Sequence, residues 1–379
     1  MVAEGQLANR HTWIDAMRLF AGLSMVGLHV TADAHGQPFP DATPSERVAP
    51  MLIRAVLYTA RTELFLMISI FLLLMALERR PRGYGATIKE QARRLLVPFV
   101  FWTVIFAFYG LIKADALGYF SPEWAELVAW QSWVGFLLLG NVKYHMHFIP
   151  TLFALLLFYP AYRAAEKAPI FGLFAVVLLL MKQVLDPVIF KMFWGADILP
   201  YIVRLAKVAT YTGYGLAAAA ILGLWRRSEA PEREGWLGPV LLFAVGLFAF
   251  KLVAISDVIV TGQWDFAYAP GFWADYLMPI ALLFICMCLG HRAWPSWISK
   301  VAKYTFGIYL CHPIFLDLAE VVLKDSHLPP IALIGVEFLW TLPMTLGFVW
   351  LLGRSRWLGW TIGLGRFPQI SRAARSQPI

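Results

Sequence analysis

Arg18 and His29 stand inside the first long apolar stretch, WIDAMRLFAGLSMVGLHV. Eleven helical steps separate them, which at ~100° per residue returns to nearly the same face about 16 Å further along. A guanidinium near one end of a helix and an imidazole near the other therefore look into one interior space. Imidazole can take up and release a proton because its unperturbed pKa is about 6.5, and guanidinium matches phosphate geometry. Ionisable side chains within a membrane are costly, so they usually face protein or water and often mark function.

The elements that must hold this pair are set by composition. The chain has 379 residues, 60% hydrophobic and only 15% charged, where a soluble protein carries about 25% charged residues. Apolar runs recur from end to end, many long enough to cross a bilayer at about 20 residues each. The reading is an all-α integral membrane protein of about ten transmembrane helices. The spans lie near 13–31, 54–77, 95–113, 147–163, 168–185, 198–225, 236–256, 271–290, 303–323 and 331–352. Residues 1–12 form a polar N-terminal tail, 13–352 one polytopic domain and 353–379 a basic tail. No cleavage site follows the first apolar run, so it reads as a retained helix rather than a signal peptide. An amphipathic stretch near 122–139, WAELVAWQSWVGFLLLG, reads as an interfacial segment or an extra span.

Loop charge orients the bundle. Arg79, Arg80, Arg82, Lys89, Arg93 and Arg94 fall in the second loop, whereas the seventh, DVIVTGQWDFAYAPG, has neither Lys nor Arg. Basic loops mark the cytoplasmic side, which places both termini in the cytoplasm of a plasma membrane. Counting 122–139 as a span would spoil that alternation. The net charge of +8 is then explained by topology, and no nucleic-acid signature accompanies it. Cys286, Cys288 and Cys311 lie in apolar segments and read as small buried side chains. No metal is implied.

With this topology His29, Arg61, Glu63, His145, His147, Arg204, Lys207, Lys251, Asp275, Glu320 and Glu337 all fall in outer halves of spans. Each would cost ~2.5–3.5 kcal/mol at a helix centre facing lipid, so the economical reading is a central polar cavity open to the outside. Duller readings stand beside it. Arg61 and Glu63 could form a structural ion pair, and Lys251 reads better as snorkelling to the interface. His312, in YLCHP, is read slightly in favour of a structural hydrogen bond, because the following proline frees a carbonyl upstream.

Several of these residues lie in motifs that resemble the acyltransferase-3 family of bacterial inner-membrane O-acyltransferases. IDAMRLFAGLSMVGLHV is similar to the first-helix motif, a basic residue followed after ten positions by histidine. LFLMISIFLLL, KEQARRLLVPF, YHMHFIPTLFALLLFYP and KYTFGIYLCHP resemble later motifs in the family's order. There are departures: Ile70 replaces the usual glycine, Gln91 the first arginine of R-x-x-R, and His147 the usual tryptophan.

The resemblance implies transfer of an acyl group, commonly acetyl, from a coenzyme A thioester such as acetyl-CoA to a hydroxyl. The acceptor it implies is a surface glycan or a lipid-linked glycan. A hydroxyl attacks readily only when a base takes its proton, a role assigned to His29, with Glu63 or His145 to orient it. Arg18, Arg93 and Arg94 are the expected coenzyme A ligands, Arg94 taking the family's arginine position. The donor enters from the cytosol while His29 lies near the outside, so its pantetheine arm must thread the bundle. A secondary transporter or flippase for a glycan or lipid is the rival reading, although the paired repeats common in transporters are not evident. A sensor or scaffold is a more distant one.

Overall fold

In a bilayer each backbone polar group must find its partner within its own segment, so apolar runs of this length become helices. The computed structural model describes residues 11–264 and 268–365, and every regular element among them is helical. In chain order these are α1 (Thr12–Val30), α2 (Pro44–Leu57), α3 (Thr62–Arg79), α4 (Tyr84–Ala116), α5 (Phe120–Val128), α6 (Trp130–Leu138), α7 (Phe148–Leu156) and α8 (Tyr159–Lys167). There follow α9 (Phe174–Phe193), α10 (Leu199–Arg227), α11 (Ala230–Thr261), α12 (Ala269–Cys288), α13 (Trp297–Ala302), α14 (Thr305–Leu323) and α15 (Pro330–Arg354). Residues 1–10 and 366–379 of the two expected tails lie outside the described residues.

Eight helical stretches are long and apolar enough to cross a membrane, or nine if the bent pair α7–α8 is one span. The sequence reading of about ten is therefore supported only in part, and two segments make the difference. One is α1, of 19 residues, which carries Asp15 and Arg18 and lies outside that set. The other is 147–163, which is bent by 65° between α7 and α8. The amphipathic stretch near 122–139 is broken at Ala129 into two nine-residue helices. Each is about 14 Å long, too short to cross a hydrocarbon core of roughly 30 Å. The chain is a multi-pass membrane protein.

Burial sorts the helices into two classes. The apolar windows of α2–α3 and of α10 are each 67% buried, those of α9 and α11 only 17%. The central helices can thus carry ionisable groups that face protein, while α9 and α11 turn exposed leucines, valines and phenylalanines outward.

Local chemistry fixes the end of α1 that bears His29. A helix leaves its last carbonyls without partners. At α1 the Arg54 guanidinium donates to the Leu28 carbonyl at 2.6 Å and to Thr31 Oγ1 at 3.2 Å, placing a cation where the helix dipole is negative. Arg54 is delivered by α2, whose start is fixed by a capping box between Thr43 and Glu46 and by Pro44. Arg47, on the same helix, donates to the carbonyls of Ile259 and Val260 at 2.8 and 3.0 Å and so ties α2 to the end of α11.

Candidate active site

At the Arg18 end, a cavity of about 580 Å3 has Arg18, Arg79, Arg80, Arg82 and Arg94 on its walls. A second cavity of about 390 Å3 shares Arg18, Gln91 and Arg94 with the first. It runs between Phe65, Leu72, Phe148 and Leu152 as far as Tyr309. Arg18 is held at the junction. Its Nη1 lies 3.5 Å from Asp15 Oδ1, and Asp15 Oδ2 accepts from Ser299 Oγ at 2.7 Å. Arg93 and Arg94 are both exposed, but Arg94 lines both cavities and Arg93 neither. The loop arginines 79, 80 and 82, which the sequence reading spent on topology, share the wall.

Beyond Tyr309 lies a layer of histidines drawn from three separate parts of the chain. His29 comes from α1, His312 from α14 and His145 from the turn before α7. The His29 and His312 rings stack at 5.4 Å between centroids, His312 and His145 meet edge-on at 5.4 Å, and Tyr144 covers His29 at 4.2 Å. Tyr309 donates its hydroxyl to the His145 carbonyl, with its ring 5.3 Å from the His145 ring. Tyr309 is on the wall of the second cavity, and His29 is on the wall of neither.

The hydrogen bonds separate the three imidazoles. Pro313 lacks an N–H, which frees the Tyr309 carbonyl four residues back. His312 Nδ1 donates to that carbonyl at 2.8 Å, so the structural bond read from YLCHP is present. Because a carbonyl only accepts, Nδ1 carries the proton and Nε2 the lone pair. His312 Nε2, His29 Nε2 and His145 Nδ1 are all buried without a hydrogen-bond partner. Such atoms are rare in native structures and call for an explanation, a catalytic role among them.

Glu63 is engaged elsewhere. Its carboxylate accepts from Tyr211 at 2.6 Å and pairs with Arg61 at 3.0 Å, and it makes no bond to His29. Of the other two imidazoles, His312 and not His145 stacks on His29. Lys251, read as snorkelling, pairs instead with Asp275 at 2.7 Å. Sequence reasoning also passed over Tyr144, Tyr309 and Arg54; only the order of motifs around YLCHP offered a signal for this neighbourhood.

Comparison with known proteins gives the arrangement its context. A family model described as an acyltransferase domain, acyltransferase 3, matches residues 11–354. The chain belongs to the acyltransferase-3 family. The match covers α1 to α15 and so contains the histidine layer, the larger cavity and all of the second cavity's walls but Ile362, Gly363 and Leu364. Neither a curated protein nor a solved structure matches the chain. As a member of this family, the protein is a membrane acyltransferase.

Proposed function

We propose that the protein moves an acyl group, commonly acetyl, from cytosolic acyl-CoA to a hydroxyl of a surface or lipid-linked glycan in the bacterial inner membrane. One observation carries the reading. An arginine-walled cavity adjoins a smaller one with Tyr309 on its wall, and the Tyr309 ring meets His145 and His312, whose rings carry unbonded nitrogens. Arginines suit the phosphates of coenzyme A, and the smaller cavity suits its uncharged arm. Arg18 to His29 is about 16 Å along α1, a distance an extended arm can cover once Tyr309 gives way.

The proton inventory is simple. The acceptor oxygen forms a bond to the thioester carbon while its proton passes to His29. The carbon–sulfur bond then breaks, and the imidazolium returns the proton to the departing thiolate. A positioned base contributes about 10²–10⁴-fold to such a step. His29 is the better placed base because no protein group occupies either ring nitrogen, whereas His312 spends Nδ1 on the Tyr309 carbonyl. Mass spectrometry of surface glycans from cells with and without the gene tests the reading. Loss of an ester mass, restored by the wild-type chain but not by His29→Ala, is expected. Identical glycans in all strains would reject it.

A further inference from the structure

At the His29 end, a second cluster of charges plays no part in the acyl transfer described above. Arg61 precedes α3, Lys182 lies on α9, Arg204 and Lys207 on α10, Lys251 on α11 and Arg54 on α2. They gather around tyrosine rings. Arg61 lies 4.6 Å from the centres of both Tyr58 and Tyr276, Lys251 4.1 Å from Tyr58, and Arg54 5.8 Å from Tyr58. Lys182 approaches Tyr211 and Tyr276 at 5.8 and 5.7 Å, and Lys207 approaches Tyr211 at 5.1 Å.

Among the described residues the carboxylates do not balance them. Glu63 and Asp275 are both contacted by Arg61, Asp275 also holds Lys251, and Asp186 pairs with Lys182 at 2.5 Å. Arg204 is held only by neutral acceptors, the His147 carbonyl and Thr151 Oγ1, each at 2.6 Å. Arg54 likewise rests on the Leu28 carbonyl and Thr31 Oγ1. Among the described residues Lys207 makes no hydrogen bond or ion pair and meets the Tyr211 ring. Arg54, Arg204 and Lys207 thus stand in excess of the described carboxylates. Excess charge within a bundle is costly unless a counter-charge joins it, and tyrosine faces repay only part of that cost.

The cluster adjoins the histidine layer at two points. Arg54 is fastened to the carbonyl of the residue before His29, and Arg204 to the carbonyl of His147, two residues from His145. The groups are not sealed off: the side chains of Arg61, Lys251 and Asp275 are 15%, 12% and 20% exposed, and Arg54, Arg204 and Lys207 are half-buried. We infer that this tyrosine-lined cation cluster is the acceptor subsite, and that it binds a negatively charged sugar, phosphate- or carboxylate-bearing, close to the hydroxyl that is acylated. The inference rests on the proposed acyl transfer for its purpose but not for its test.

The test is binding without any acyl donor. The full chain, purified in a neutral detergent, is titrated with glucose 6-phosphate, glucuronate or glucose at matched ionic strength while its thermal unfolding is followed. At least one anionic sugar should raise the midpoint saturably, with an affinity about tenfold above that of glucose. Lys207→Met should weaken that binding about tenfold, and Lys207→Arg should keep it. Lys207→Gln serves the same purpose if the methionine variant does not fold. Arg94→Ala, at the other end of the bundle, should bind the sugar as the wild type does. Three results would overturn the inference: glucose matching the anionic sugars, no saturable response into the millimolar range, or unchanged binding in both neutral Lys207 variants. Sugar binding without coenzyme A release in a later donor assay would count against the transfer reading while leaving the anion subsite standing.

Discussion

His312 donates from Nδ1 to the Tyr309 carbonyl at 2.8 Å while its ring stacks on His29 at 5.4 Å between centroids. The proline that follows it, Pro313, is the reason this carbonyl is free to accept. A helix irregularity thus fixes the tautomer of one imidazole beside another whose nitrogens are unbonded. His29→Ala should lower turnover about 10²–10⁴-fold and leave the protein folded and inserted. The measure is release of free coenzyme A thiol by membranes supplied with acyl donor and acceptor. Wild-type turnover in that variant would end the assignment of His29 as the base.

Arg94 and Arg93 are neighbours with different surroundings. Arg94 is on the wall of both cavities, and Arg93 is on the wall of neither. A charge-assisted hydrogen bond to phosphate is worth about 1.5–3 kcal/mol, so Arg94→Ala should raise the apparent KM for acyl-CoA by roughly tenfold or more. Arg93→Ala should change it little, and the acceptor KM should hold in both. Equal effects of the two substitutions would place the donor elsewhere.

What could be read from sequence follows the range of the contacts. That Arg18 and His29 share one helix was legible from a single apolar run, but the shared interior space expected from the helical period is not shown, since Arg18 lines both cavities and His29 neither. The choice of Arg94 over Arg93 rested on alignment through Pro98; of the two, Arg94 is the one that lines the cavities. His29 with His312, Lys251 with Asp275 and Arg54 with Leu28 join segments far apart in the chain, and no periodicity reports such meetings. Helix breaks were hidden for a different reason. Ala129 carries no proline or glycine to announce the end of α5, whereas the bend before α8 had a warning in Pro160.

Asp317 anchors the loop that bears Tyr144 and His145. Its carboxylate accepts from Lys143 Nζ at 2.6 Å and lies 3.5 Å from Lys113 Nζ, and Lys113 also bonds Glu320. With only 2% of the Asp317 side chain exposed, removing its charge leaves Lys143 without its carboxylate, while Lys113 keeps Glu320. Breaking a buried pair costs about 3–5 kcal/mol. Asp317→Asn should therefore lower the unfolding midpoint sharply, and Lys143→Met in that background should recover part of the loss. If Asp317→Asn melted with the wild type, the network would not hold the loop.

His11 supplies a pH dependence. It precedes α1 on the wall of the larger cavity, and Arg79 Nη2 lies 3.3 Å from its Nε2. Burial first, then the Arg79 and Arg226 guanidiniums, hold its pKa below the ordinary 6.5. The unfolded chain therefore binds this proton at a higher pH than the folded one. The stability His11 contributes is present above pH 6.5 and is lost as the pH falls below it. A polyphosphate donor in the cavity would oppose that depression, so its binding should draw a proton onto His11, and its affinity should rise as the pH is lowered through this range. Calorimetry of coenzyme A binding in buffers of different ionisation enthalpy measures the uptake. His11→Gln should abolish it near pH 6 and flatten the acid side of the stability profile. Proton uptake undiminished in that variant would assign the titration to another group.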